Sequence, residues 1–316
     1  PIVGTDWLEP DDTGACRCYD RDGRRCTVQR EGGEAMLPRS CYHFPRRALL
    51  DSRGTSVALS LFCPTAAALL LDAPGPLRIV RQPAAFPAAR EYEGLDAREE
   101  WPPLLRPDVL FDPPSYALWE QHMVEAVASS SRGVDDTLLD LAVRAEALRA
   151  WTSDDGPLEE WTRVTLASSA EADADALARR YGPFTGHAAH AAAIAAVPAG
   201  LSFPAAPHPF EALDARWVAS AWTTMSPLVL RVLGAKAFAS WTAYQSRGVR
   251  TQVAELFMTA AVLRVECVRA CATAQRPLDA ALLADAVREM DRLLVHLVER
   301  EQLLPWLGKA ELDDED

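Results

Sequence analysis

Lysine is nearly missing from this 316-residue chain, which holds Lys236 and Lys309 among its 32 basic residues. Arginine stands in its place and alanine is abundant, a bias that a GC-rich genome explains without any functional demand. No run of about 18 uncharged apolar residues occurs, so no segment is expected to span a bilayer. The opening Pro1-Ile-Val-Gly-Thr-Asp-Trp7 lacks the basic-then-apolar order of a signal peptide, and the expectation is a cytoplasmic protein with no membrane partner. Gly-x-Gly-x-x-Gly, P-loop, Gly-x-Ser-x-Gly and His-Glu-x-x-His phrases are all missing. That removes the usual support for dinucleotide binding, nucleotide hydrolysis and serine hydrolysis.

What is present begins with a globular balance, 49% hydrophobic and 24% charged residues, in a length that allows one large domain or two ordinary ones. The net charge of −13 is unevenly spread. Residues 1–90 hold 12 arginines against 10 carboxylates, a net of +2, and the remainder holds 20 basic against 35 acidic residues, a net of −15. So acidic a body argues against nucleic-acid binding, which needs basic side chains to neutralise phosphates. The local arginine excess suits a carboxylate, a phosphate or a negatively charged cluster instead.

The basic end also holds five of the seven cysteines, all within the first 63 residues. They stand in turn-like phrases: Cys16-Arg-Cys18, Asp22-Gly-Arg-Arg-Cys26, Leu37-Pro-Arg-Ser-Cys41-Tyr-His-Phe-Pro-Arg46 and Leu59-Ser-Leu-Phe-Cys63-Pro64. A thiol kept for packing is a small hydrophobe and needs no such neighbours. In a reducing compartment, clustered cysteines in number point to a thiophilic metal or an iron–sulfur cluster rather than to disulfides. The intervals of one, seven, 14 and 21 residues match neither zinc-ribbon knuckles nor ferredoxin runs, so number and context carry the reading, and unligated thiols stay open as the alternative. Arginines at 17, 24, 25, 39, 46 and 47 would favour thiolate and offset cluster charge.

The pattern of elements predicts a mainly α protein: a C-terminal helical bundle with a small, irregular α+β cysteine-rich module before it. Residues 1–82 read as that module, with strands over Thr55–Phe62 and Leu77–Arg81 and a short helix opened by Pro64. Residues 83–114 form a proline-rich connector whose Phe86, Leu95, Trp101, Leu105 and Phe111 are too apolar for a disordered linker, so it is expected to lie against the fold. Its Tyr92, Asp96, Arg98 and Glu99 line a cleft in one reading and are solvated loop residues in the other. Residues 115–310 are helical, with starts at Ser115, at Asp135 or Asp136, and at Pro157. Three strong helices come after these, at about 210–246, broken near Pro227, at 249–275 and at 279–303, the last capped by Asp279 with Leu278 as its staple. Residues 311–316 read as a frayed acidic tail.

The succession Cys16, Asp22-Gly-x-x-Cys26, Gly32-Gly-Glu-x-x-Leu-Pro-x-x-Cys41-x-x-Phe-Pro-Arg46, Leu59-Ser-x-x-Cys63-Pro resembles the cysteine-cluster proteins that include flagellin lysine-N-methylases. The helical remainder, at Val262–Glu266 and Arg276–Leu283, resembles bacterial relatives of that group more loosely. The resemblance implies a 4Fe–4S cluster or zinc held by Cys16, Cys26, Cys41 and Cys63. It also implies methyl transfer from S-adenosylmethionine to the lysines of a protein such as flagellin. Arg17, Arg46 and Arg47, with Tyr92 and Asp96, are then the candidate cofactor-binding residues. The family's upstream cysteine cluster does not occur in this sequence, and Cys18 stands where an aromatic residue is usual, as a substitute ligand or an accident. A zinc-stabilised, non-catalytic protein-binding module is the alternative.

Other side chains read more simply. Cys267 and Cys271 share a helix face among valines and alanines and are expected in the core. His187 and His190, at i,i+3, could share a metal, though no carboxylate pattern accompanies them. His43 could hydrogen-bond a ligand of the cysteine site or be structural. Trp217, Trp222 and Trp241 are expected as bundle contacts.

Overall fold

The chain divides after Phe44 into two units, Pro1–Phe44 and Pro45–Asp316, and the computed structural model describes residues 16–20, 22–23, 25–81 and 94–312. The protein is mainly α, 62% helical, with a small α+β N-terminal part. Composition placed the end of the cysteine-rich module at residue 82. The units part earlier because the hairpin from Arg46 onward pairs with residues 94–96 through its first strand and belongs to the second unit.

In the first unit β1 (Tyr19–Asp20) pairs antiparallel with β2 (Arg25–Cys26), Tyr19 opposite Cys26. The Asp20 carboxylate closes the turn by accepting the amides of Asp22 and Gly23, each at 3.1 Å, and it holds Arg30. A Cβ at Gly23 would stand 2.7 Å from that carboxylate, which is why the turn has glycine there. Two short helices complete the unit, α1 (Thr27–Gly32) and α2 (Arg39–His43). Among the described residues of this unit no hydrophobic side chain is buried.

The second unit opens with a hairpin, β3 (Arg46–Asp51) and β4 (Gly54–Leu59), turned at Ser52-Arg53 with Gly54 at φ 122°. On its other edge β3 takes β5 (Gly94–Asp96) in parallel. A Cβ at Gly94 would lie 2.0 Å from the Ala48 carbonyl oxygen, so this pairing tolerates only glycine. The helix expected after Cys63 is α3 (Pro64–Asp72), with proline in its first turn. The strand expected over Leu77–Arg81 is not formed. Leu77 and Ile79 pack on the core one at a time without a partner strand, which yields the same alternation as a ladder. In the connector, β6 (Leu104–Arg106) and β7 (Val109–Leu110) pair briefly; Leu105 and Phe111 are fully buried and Trp101 is exposed. Phe86 and Tyr92 lie outside the described residues.

Helices make up the rest. They are α4 (Pro113–Ser129), α5 (Val134–Arg149), α6 (Leu158–Ala167), α7 (Ala174–Tyr181), α8 (Gly186–Ala195), α9 (Phe210–Trp217), α10 (Ala219–Thr224), α11 (Ser226–Ala237) and α12 (Thr242–Gln245), then α13 (Val249–Ala274), α14 (Ala280–Asp291) and α15 (Arg300–Leu307). The start of α4 falls two residues before Ser115, because Asp112 accepts the Ser115 amide at 3.1 Å. α5 begins after Gly133 without a side-chain cap, so neither Asp135 nor Asp136 is its cap. Asp279 does cap α14, accepting the Leu282 amide at 2.9 Å, and Leu278 beside it is buried.

α13 is the axis of this unit. Val253, Leu256, Val262, Cys267 and Val268 are buried on several of its faces, and α5, α8, α9, α11 and α14 pack around it. A helix apolar on all sides has to be enclosed in this way. The helix expected over 279–303 is interrupted instead: a π-helical turn at Arg292–Leu297 and a break at Val298-Glu299 separate α14 from α15. Glu311, read as the first residue of a frayed tail, is buried. It accepts the Thr251 amide at 2.9 Å at the open start of α13 and pairs with Arg149. The orphan amides of a helix start attract a carboxylate, and here Glu311 provides it.

Candidate functional site

Three of the predicted ligands lie on or beside the β1–β2 hairpin. Cys26 ends the second strand, the Cys18 carbonyl accepts the Thr27 amide at 2.8 Å, and the Cys16 carbonyl accepts the Tyr19 amide at 2.9 Å. They hold the Cys16 thiol in hydrogen-bonding range of Cys18, with Cys26 near enough to act on Cys18 electrostatically. The Cys18 thiol is pushed above its ordinary value by burial first, then by Cys16 and Cys26, and Cys16 also hydrogen-bonds it. Crowded thiols oppose each other's deprotonation, and a bound cation reverses that sign.

Cys41 is exposed on α2 in the same unit, beside His43, which is buried and meets the Tyr42 ring edge-on. Cys63 belongs to the second unit, as the N-cap of α3. Among the described residues no three His, Cys, Asp or Glu side chains converge in the manner of a metal site. Arg17 is exposed in the first unit, and Asp96 is an exposed carboxylate held at about 2 by Arg98, whose guanidinium and amide both bond it. Tyr92 lies outside the described residues. His187 and His190 do not converge: His190 is buried 3.1 Å from Glu266, while His187 is exposed near Glu211. Cys267 and Cys271 are buried in the core as expected.

Arg47 is the predicted residue that the fold places most tellingly. Alternation on β3 puts Arg47, Leu49 and Asp51 on one face. Leu49 is buried with Ala97 and Ala239 in a cluster against which Phe238, Trp241 and Tyr244 pack, and Asp51 accepts the Tyr244 hydroxyl at 2.7 Å. Arg47 lies over the Trp241 ring, 4.9 Å from its centroid, while the indole N–H bonds the Ala48 carbonyl. There Arg47 lines a small recess together with Lys236, Phe238, Glu255, Met258 and Arg300. Arg46, its neighbour, and Asp96 are not among the lining residues.

Charges in this pocket are mostly paired. Glu255 accepts Arg300 at 3.2 Å and the Ser240 hydroxyl at 3.0 Å; burial pushes its carboxyl up, and Arg300 with these neighbours more than reverses that. Lys236 donates to Asp291 at 2.8 Å, and desolvation still lowers its ammonium below the usual range. Burial likewise pushes the Asp291 carboxyl up, but Lys236, the Ser60 hydroxyl and the Phe62 amide overcome it and hold it at about 2. Arg47 makes no hydrogen bond or ion pair among the described residues, and desolvation lowers its guanidinium.

Ser60 sits 2.7 Å from both Asp291 Oδ2 and His296 Nε2, a grouping reminiscent of an activated nucleophile. Its burial decides otherwise, since Ser60 is 1% exposed and no substrate atom reaches it. With Asp291 ionised, the hydroxyl donates to the carboxylate, and the knot ties the end of β4 to the π-helical turn. Lys236, Asp291, Trp241 and Arg300 were not legible as a site, because they are scattered over α11, α14, α15 and the segment before α12. The one signal was that Lys236 is among the chain's two lysines.

No family model matches the chain, and no curated protein or solved structure matches it. Among the described residues no helix is long and apolar enough to cross a membrane.

Proposed function

We propose that this is a metal-binding protein whose N-terminal unit holds zinc or an iron–sulfur cluster on cysteine thiolates. The carrying observation is that the described residues of that unit bury no hydrophobic side chain while its hairpin carries three cysteines, of which Cys16 hydrogen-bonds Cys18. Fully burying one Leu or Val is worth about 1.5–3 kcal/mol, the usual source of a fold's stability. A unit without that term is of the kind that a metal staples, with metal affinity becoming folding energy. The donor chemistry fits a thiophilic ion. Cys16, Cys18, Cys26 and Cys41 are the residues that would hold it within the unit, and closing their shell is part of the folding that binding drives. A bound metal would supply a fixed crosslink and, as an iron–sulfur cluster, an electron-accepting centre.

The resemblance adds methyl transfer from S-adenosylmethionine to protein lysine. Support for it is the charge of −15 outside residues 1–90, which attracts a cationic lysine.

The test is anaerobic purification with metal and sulfide analysis and a visible spectrum. Stoichiometric zinc, or iron with sulfide and a brown colour, is expected, and both disappear in Cys18→Ser and Cys26→Ser but not in Cys267→Ser. Metal-free protein, or metal content indifferent to the hairpin cysteines, overturns the reading. The methyl-transfer extension is tested on the same preparation with labelled S-adenosylmethionine and flagellin, and absence of labelled lysine removes it while leaving the metal reading intact.

A further inference from the structure

The three-stranded sheet of the second unit ends on two unlike edges. β5, on one side, is three residues long and carries Asp96, whose carboxylate is paired with Arg98. Short, charged edges discourage pairing with another chain. β4, on the other side, runs for six residues, Gly54-Thr-Ser-Val-Ala-Leu59, with no charge, no proline and no shift of register against β3. None of its six residues is buried, and Thr55 and Leu59 are exposed.

The ladder fixes which backbone groups of β4 are free. Ser60 donates its amide to the Pro45 carbonyl at 2.7 Å. Hydrogen-bonded positions alternate along an antiparallel pair, so Ala58 opposite Arg47 and Ser56 opposite Leu49 are the next to exchange bonds. The Leu50 carbonyl agrees with that alternation, since it turns away from β4 and accepts the Ala97 amide at 2.7 Å. The N–H and C=O groups of Thr55, Val57 and Leu59 therefore point away from β3, and they meet no hydrogen-bond partner among the described residues.

A second copy uses all of these groups at once. Antiparallel pairing about a two-fold axis at Val57 sets Val57 opposite its own mate and Thr55 opposite Leu59 on either side. Each is a hydrogen-bonded position, so every outward N–H and C=O of the three residues finds a partner. The facing side chains are β-branched or aliphatic, which favours cross-strand contact. A charged residue on this strand would come close to its own copy across the axis, and the strand has none. Arg53, just before it, is turned to Asp51 and Glu120 instead.

We propose that β4 is an interaction edge on which a second copy of this chain adds its own β4, antiparallel and centred on Val57, to join the two sheets into one. Pairing along a single strand buries little area, so the dimer is weak and forms with rising concentration. The surface lies in the second unit and is independent of the metal reading, so either can fail alone.

The experiment is sedimentation velocity of the full chain from about 1 μM to 1 mM, the range of weak association. A reductant is present, so that the exposed Cys16 and Cys41 form no intermolecular disulfide. Monomer is expected at the low end and dimer at the high end. Amide hydrogen exchange is read at both ends: the Thr55, Val57 and Leu59 amides should slow by about tenfold or more in the dimer, while those of Ser56 and Ala58 are protected throughout. Val57→Pro removes an outward N–H and no ladder bond within the hairpin, so it should keep the melting temperature of the dilute protein and stay monomeric at every concentration. If the proline is not tolerated, Val57→Lys decides: two ammonium groups then face each other across the axis, and association should weaken by about tenfold or more. A monomer throughout, a dimer unchanged by these substitutions, or exchange at Thr55, Val57 and Leu59 that does not depend on concentration overturns the proposal.

Discussion

The Lys236 ammonium donates to Asp291 across 2.8 Å, with the Asp291 side chain wholly buried and its second oxygen taken by Ser60. Two helices distant in sequence and the end of a β-hairpin meet in that pair. Replacing Asp291 with Asn leaves the ammonium buried without a counter-charge. Asp291→Asn is expected to cost on the order of 3–5 kcal/mol, whereas the double change Lys236→Met with Asp291→Leu costs much less, since it removes both desolvated charges. Urea midpoints of the two variants check this, and equal losses would refute it.

Acid should destabilise the protein in two phases. Burial lowers the His122 imidazole to about 4, so as pH falls from about 6.5 the unfolded chain takes up the proton first and stability declines. The second phase belongs to Asp291, held at about 2 in the folded protein. Its contribution is complete above the ordinary carboxylate range and is lost as pH falls toward 2. Urea unfolding at pH 7.5, 5 and 3 reads both phases, and His122→Gln should flatten the first and leave the second.

Glu311 answers the exposed amides at the start of α13 and the Arg149 guanidinium together. Its replacement by alanine is expected to cost about 3 kcal/mol, as for a buried pair broken on one side. Glu301→Ala, at an exposed position of α15, should stay within about 0.5 kcal/mol. A similar melting temperature for the two variants would contradict the burial of Glu311.

Thiol reactivity should separate the cysteines by burial. Cys16 and Cys41 are exposed, and desolvation pushes the thiols of Cys267 and Cys271 upward. After chelator treatment, iodoacetamide should label Cys16 and Cys41 in native protein, and Cys267 and Cys271 only in denaturant, as read by peptide mass spectrometry.

Much of the helical half is legible because its signals are local. Asp279 caps where a cap was expected, the unbroken apolar pattern of 249–274 is one enclosed helix, and Pro64 opens α3. Other features depend on partners far along the chain. The alternation at Leu77–Ile79 looks like a strand but finds no ladder, and Gly94, unremarked in the sequence, permits the parallel pairing of β5 with β3. The π-helical turn after Asp291 interrupts a sequence with good helical periodicity, at the place where Ser60 binds Asp291 and His296.

By itself, then, the sequence determined the helical class, the basic cysteine-bearing start and the places where many helices begin, because capping, proline and periodicity act within a few residues. Tertiary structure alone decided that Lys236 pairs with Asp291 and Arg300 with Glu255 beside Arg47, which lies over the Trp241 ring. Electrostatic balance depends on distance in space, and residues 47, 236, 255, 291 and 300 become neighbours only when the hairpin folds over the bundle.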